Sequence, residues 1–214
     1  MNARAISEQL RTLGDADIAR HSQGFFKTGK GEYGEGDRFL GIRVPVLRQH
    51  IRQFRDVAPE DVLQLLASDY HEERLFALLL LVDQFRRGSD PQRRWIYQHY
   101  LANTRYINNW DLVDSSADKI VGAWLRQRSR KPLYRLARSK SLWERRIAIM
   151  ATFHLIRQHD FKDTLAICEL LLNDEEDLIH KAAGWMLREV GKRYVAVEMA
   201  FLDRHCRRMP RTML

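Results

Sequence analysis

Trp110 and Asp114 stand four residues apart, and Lys181, Trp185 and Arg188 follow at helical spacing further along the chain. On an α-helix these intervals place side chains on one face. Two more groups of the same kind are Trp143 with Arg145 and Arg146, and His71 with Arg74. Together they offer one carboxylate bracketed by indoles and flanked by cations. A carboxylate can take up a proton or stabilise a developing positive charge. An indole face stacks on rings and attracts cations, and guanidinium and ammonium groups bind phosphate. That combination exceeds what a purely structural surface needs.

Each member also has a plainer role open to it. Tryptophan at helical spacing usually packs inside, and Trp95, Trp124 and Trp143 are expected in the core. Asp111 and Asp114 both fall early in a helix, where a carboxylate compensates the helix dipole, and Asp111, the earlier of the two, suits that role better. Arg146 and Lys181 could be solvated. The joint arrangement is harder to dismiss than any single residue.

The elements that must position these residues form a repeat. The segments LLASDYHEERLFALLLLVDQF, LARSKSLWERRIAIMATFHLI and LLNDEEDLIHKAAGWMLREVG share one form: a Leu-rich helix, a short polar turn and a second amphipathic helix. Aligned on Ala77, Ala148 and Ala183, they are separated by 71 and then 35 residues. A further unit is therefore expected between the first two, and YINNWDLVDSSADKIVGAWL supplies it, with Asp114 near the aligned position. A period near 35 marks a helical-pair solenoid, whose units bury their apolar faces by stacking. The expected fold class is all-α, a curved HEAT-like solenoid with a concave basic groove lined by the second helices. The expected organisation is a single domain over 1–214, with N-terminal helices and a Gly-rich loop in 1–40 and stacked repeats in 41–214.

Composition agrees. The chain has 214 residues, 45% of them hydrophobic, so it can build a large core and is not of disordered type. Eight of its 11 glycines precede residue 90, which leaves the remainder free for long helices. The stretch Thr28 to Arg38, TGKGEYGEGDR, reads as a loop and lacks the spacing of a nucleotide-binding glycine loop. Pro45 suits the first turn of the helix that follows it. The formal net charge of +8 points to a polyanionic partner, nucleic acid first and an acidic membrane surface second. Cys168 and Cys206 are far apart and outside any metal-ligand spacing, so no metal or other cofactor is expected, and the thiols fit a reducing compartment. The longest apolar run, Phe76 to Val82, is too short to span a bilayer, and the N-terminus lacks the apolar centre of a signal peptide. A cytoplasmic monomer, nucleoid-associated while acting on DNA, is the expectation.

The segments FLGIRVP, NNWDLVDSSA, LWERRIAI and HKAAGWMLREVGK, in this order, resemble those of the AlkD-type alkylpurine DNA glycosylases. The likeness extends from about Phe25 to Lys192. It implies that Trp110 and Asp114, in W-D-x-x-D, act at the reaction centre with Asp114 as the catalytic carboxylate. It implies that Arg146, in W-x-x-R, binds phosphate and that Trp185 is the second active-site indole. Lys181, Arg188, Arg43, Arg145 and Arg74 are expected as further DNA contacts. Three departures stand at the N-terminal side, the first being that the Gly-rich segment GKGEYGEGDR is longer than the corresponding turn in the founding type. Arg43 occupies a position that is a polar glutamine in the founding type, and Phe25 or Phe26 falls where that type has a tyrosine.

The implied activity is hydrolysis of the N-glycosidic bond of cationic N3- or N7-alkylpurines in double-stranded DNA, in a mode that does not flip the base out of the helix. Asp114 would stabilise the oxocarbenium-like sugar and position or deprotonate water, while Trp110 and Trp185 would hold the sugar. The alternative is a non-catalytic protein on the same scaffold that recognises damaged or branched DNA. A third possibility, a protein–protein scaffold, is the commonest use of helical solenoids but does not call for this charge or these motifs.

Overall fold

Proline and polar caps delimit the helices. Pro45, Pro59, Pro91 and Pro132 each stand in the first turn of a helix, where a missing N–H costs nothing. Asn2, Asp15 and Ser141 accept hydrogen bonds from first-turn amides, and Ser89 forms a capping box with Gln92. A computed structural model describes residues 2–214. No strand forms among them, and the one isolated bridge joins Arg38 and Tyr70. None of the described helices is long and apolar enough to cross a membrane.

The chain divides into two compact units, one ending at Ser116 and the other spanning Ala117–Leu214. The first contains α1 (Ala3–Arg11), α2 (Ala16–Phe25), α3 (Val44–Phe54), α4 (Pro59–Leu66), α5 (His71–Arg87), α6 (Asp90–Ala102) and the start of α7 (Trp110–Ala117). α5 is its central element and packs against α3, α4 and α6. Its apolar core runs through Leu75, Phe76, Leu78, Leu80 and Leu81, all buried. Tyr100 on α6 and Ser116 on α7 share a buried hydrogen bond of 2.9 Å.

The second unit begins with a π-helical turn, Asp118–Gly122, followed by α8 (Ala123–Leu125), α9 (Lys131–Ala137), α10 (Leu142–Ile156), α11 (Lys162–Leu170), α12 (Asp177–Gly191) and α13 (Val195–His205). Here α10 is central and packs against α9, α11, α12 and the π-turn. Gly122 makes the last contact possible, because a Cβ there would stand 2.1 Å from the Ala151 carbonyl oxygen. At the C-terminus Met209 and Met213 are buried, and Thr212 hydrogen-bonds Asp177 on α12.

The helical-pair architecture expected from the repeat is the one observed. The pairs are α4–α5, α6–α7, α9–α10 and α11–α12, and Ala77, Asp114, Ala148 and Ala183 all fall on second helices. The three alanines are fully buried, small residues that let neighbouring elements approach closely. Trp124 is buried as expected, but Trp95 and Trp143 are only half-buried. Trp95 instead stacks on His99, with 3.7 Å between ring centroids.

Candidate active site

In the first unit the site is built around the start of α7. Asn109, fully buried, accepts a hydrogen bond from the Trp110 amide through its own Oδ1. One turn later on the same face comes Asp114, half-buried. The Trp110 indole is packed from α2 and the residue after it: Phe26 stacks on it at 5.4 Å and 21°, and Phe25 meets it edge-on at 6.0 Å. Phe25 is itself 57% exposed, so an apolar ring stands at the surface beside the indole.

Asp111, between the two candidate residues, serves more than the helix dipole. Its Oδ2 lies 2.8 Å from Nε2 of His71, whose Nδ1 lies 2.8 Å from Oδ2 of Asp37. The His71 ring is stacked on Phe39 at 4.6 Å and lies 4.8 Å from Phe26. Burial alone would push this imidazole toward its neutral form. The Asp111 carboxylate, by charge and hydrogen bond, and then Asp37 outweigh it and hold the pKa up to about 9. Both ring nitrogens then carry protons and donate to carboxylates. Asp37 is in turn held below the usual carboxylate range: burial acts against this, but His71 and Arg74 overcome it.

The sequence HEER at the start of α5 is the hub of this arrangement, and each of its four residues is buried. His71 links Asp37 to Asp111. Glu72 accepts three backbone N–H groups, from Leu40, Gly41 and Ile42, at 2.9, 2.8 and 3.1 Å. Glu73 accepts from Ser7 on α1 and from Ser68. Arg74 donates to Asp37 at 2.6 Å and to the Ser68 carbonyl at 3.0 Å. The Gly-rich stretch thereby acquires a function, since it delivers Asp37 into the interior beneath His71. Gly34 lets it turn back there: a Cβ would sit 2.5 Å from the Phe26 carbonyl oxygen.

The arginines expected to contact DNA separate into two kinds. Arg43, at the N-cap of α3, is exposed. Arg74 is 5% exposed with its guanidinium turned inward on Asp37, so the phosphate contact expected of it is replaced by an internal ion pair. Arg145, in the second unit, is likewise committed. It reaches both oxygens of Asp174, at 2.6 and 3.0 Å, and two carbonyls of the α9–α10 turn. Arg146 is 5% exposed and donates to the Leu178 carbonyl in the first turn of α12.

On α12, Lys181, Trp185 and Arg188 share one face, as their spacing requires. Lys181 and Arg188 are exposed and Trp185 is half-buried, 6.0 Å from Phe153. Lys181 pairs with Asp177 at 2.6 Å, an open i,i+4 contact that a phosphate could displace.

His71 was visible in the sequence as a residue aligned with the candidate groups, but nothing local shows that it is charged and clamped. Asp37 and Glu72 carried no signal at all. Their partners lie 30 to 37 residues away.

The sequence and the fold have counterparts among known proteins. Residues 6–214 match the family model described as DNA alkylation repair enzyme. A solved structure described as a predicted DNA alkylation repair enzyme from Enterococcus faecalis is similar to this chain with a TM-score of 0.70 and 17% identity. The likeness covers 94% of this chain and 93% of that one, and it shows the shared fold. A search of curated proteins found no match.

Proposed function

Because the chain belongs to the DNA alkylation repair enzyme family, we propose that it is a monofunctional DNA glycosylase that removes cationic N3- or N7-alkylpurines from double-stranded DNA. The observation that carries this reading is the pairing of Trp110 and Asp114 one turn apart, with the indole braced by Phe25 and Phe26 and the intervening Asp111 anchored by His71. Phosphate binding alone needs no carboxylate at such a place, since negative charge there weakens attraction to DNA.

An alkylated purine that carries a positive charge leaves as a neutral base when its bond to C1′ breaks, and the electron deficit passes to the sugar. Asp114 offers negative charge to that oxocarbenium-like sugar. A water molecule then adds to C1′, its proton passes to Asp114 and on to solvent, and an abasic site remains. The Trp110 face favours the cationic sugar. Trp185 on α12 presents the second indole that the family resemblance assigns to this reaction. Arg43, Lys181 and Arg188 are the exposed cations for the phosphates, and Arg146 adds its charge from a buried position. The proposal includes excision with the lesion kept in the helix, and action as a monomer.

The test is release of 7-methylguanine and 3-methyladenine from methylated duplex DNA by the wild type and by Asp114→Asn. Release by the wild type, a loss of at least about 100-fold in the variant and equal or tighter DNA binding by it are expected. Full activity in the variant, or binding without excision by the wild type, would overturn the reading and leave a DNA-binding protein on the same scaffold.

A further inference from the structure

The formal charge of +8 is concentrated in one place. Residues 119–143 contain eight lysines and arginines and no Asp or Glu, while the other 28 cations are balanced by the chain's 28 carboxylates. This stretch therefore accounts for the entire excess. It lies wholly in the second unit and runs from the π-turn through α9 to the start of α10.

Three of its cations are held. Lys119 pairs with Asp118 at 3.1 Å, and Arg130 bonds Asp160 and Asp163. Arg128 lies 3.6 Å over the Trp124 ring and donates to that residue's carbonyl. The other five, Arg126, Lys131, Arg135, Arg138 and Lys140, are exposed, and among the described residues no carboxylate pairs with any of them. Dipole compensation explains cations at the C-terminal end of α9, but Lys131 stands at its N-terminus, the end that disfavours positive charge. Like charges gathered in one stretch repel one another, and an anionic partner would relieve that repulsion.

Lys131 and Arg135 are one turn apart, and Arg138 follows at the C-cap, so the charges succeed one another by about 6 Å and then about 4.5 Å along the axis. A DNA duplex carries one charge per about 1.7 Å of its axis, so such a row can meet several phosphates at once. An anionic lipid surface fits less well. The apolar residues of α9, Leu133, Leu136 and Ala137, are buried, and Tyr134 turns its hydroxyl to Asp163. No apolar face is left to enter a membrane interface.

We infer that the exposed cations of α9 and its flanking turns form a second phosphate-contact surface for a nucleic-acid duplex, additional to Lys181 and Arg188 on α12. The inference rests on reading the chain as a DNA enzyme. It concerns binding along the duplex and takes no part in the bond cleavage.

The experiment compares the wild type with the triple variant Lys131→Gln/Arg135→Gln/Arg138→Gln, and with a control triple, Arg48→Gln/Arg52→Gln/Arg94→Gln, of equal charge change at exposed sites in the first unit. Affinity for an undamaged 30-base-pair duplex is measured by fluorescence anisotropy over a range of salt concentrations, after circular dichroism has shown that all three proteins melt alike. Loss of three contacts should flatten the plot of log affinity against log salt by about 2.7, since each contributes about 0.9. The control should change it by less than half as much. An unchanged slope in the α9 variant, or an equal change in the control, would overturn the inference. So would wild-type binding to phosphatidylserine vesicles that exceeds binding to the duplex and is lost in the α9 variant. Base release is read separately, so failure of the glycosylase reading leaves this slope measurement intact.

Discussion

Nε2 of His71 lies 2.8 Å from Oδ2 of Asp111, and this contact ties the longest helix of the first unit to the residue that follows Trp110. With Asp37 on the other ring nitrogen, His71 forms a buried cation between two anions. It is a positioning residue for the start of α7.

Its pH dependence follows from the direction of the shift. The folded-state pKa is raised from 6.5 to about 9. Stability from this group is therefore fully present below pH 6.5 and is lost as pH rises through about 9. A shift of that size corresponds to roughly 3 kcal/mol. Denaturant unfolding of the wild type should show stability declining from pH 7 to pH 10, and His71→Gln should lack that decline while being less stable at pH 6. An identical pH profile in both proteins would show that His71 is not the group responsible.

Glu72 makes a second testable claim about the same hub. One carboxylate receives three backbone N–H groups from residues 40–42, the segment that leads into Arg43. Glu72→Gln replaces an acceptor oxygen with a donor NH₂ and removes the charge. The loss should be about 2–3 kcal/mol in urea unfolding, with hydrogen exchange accelerated first at Leu40, Gly41 and Ile42. Unaltered protection at those amides would contradict the assignment.

Arg145 and Arg188 should behave oppositely although both are arginines of second helices. Arg145→Ala leaves Asp174 without its bidentate partner and should destabilise the protein by about 3 kcal/mol. Arg188→Ala removes an exposed side chain. It should leave stability within about 0.5 kcal/mol while flattening the salt dependence of duplex binding by about 0.9. Thermal melts and salt titrations on the two variants decide the matter, and interchange of the two outcomes would reverse the assignments.

Gly122 sets helix propensity against packing. Alanine is favoured over glycine by about 1 kcal/mol inside a helix, so propensity alone makes Gly122→Ala stabilising. The added Cβ, however, would stand 2.1 Å from the Ala151 carbonyl oxygen and 2.7 Å from the His154 Cβ. Overpacking of this kind costs about 1–3 kcal/mol or more, and a net fall in melting temperature is expected. A rise would show that the π-turn and α10 separate readily.

Much of the architecture was legible before any coordinates. Helical periodicity, proline positions and the 35-residue interval are local or repeating signals, and they place Ala77, Asp114, Ala148 and Ala183 on second helices. The spacing of Trp110 with Asp114, and of Lys181 with Trp185 and Arg188, likewise determines a shared helix face, because 3.6 residues make a turn.

Which charges are spent inside the protein was decided by tertiary structure alone. Arg74 and Arg145 each stand three residues before the aligned alanine of their repeat, and Arg188 stands five residues after its own. Asp37 and Asp174 claim the first two from 37 and 29 residues away, whereas Arg188 stays exposed. The same applies to His71, whose charge arises only when Asp37 and Asp111 close on it from opposite directions along the chain. Periodicity follows from the backbone and can be read one segment at a time. The state of a charged side chain depends on which distant partner folding brings within about 3 Å and on how much water it excludes there.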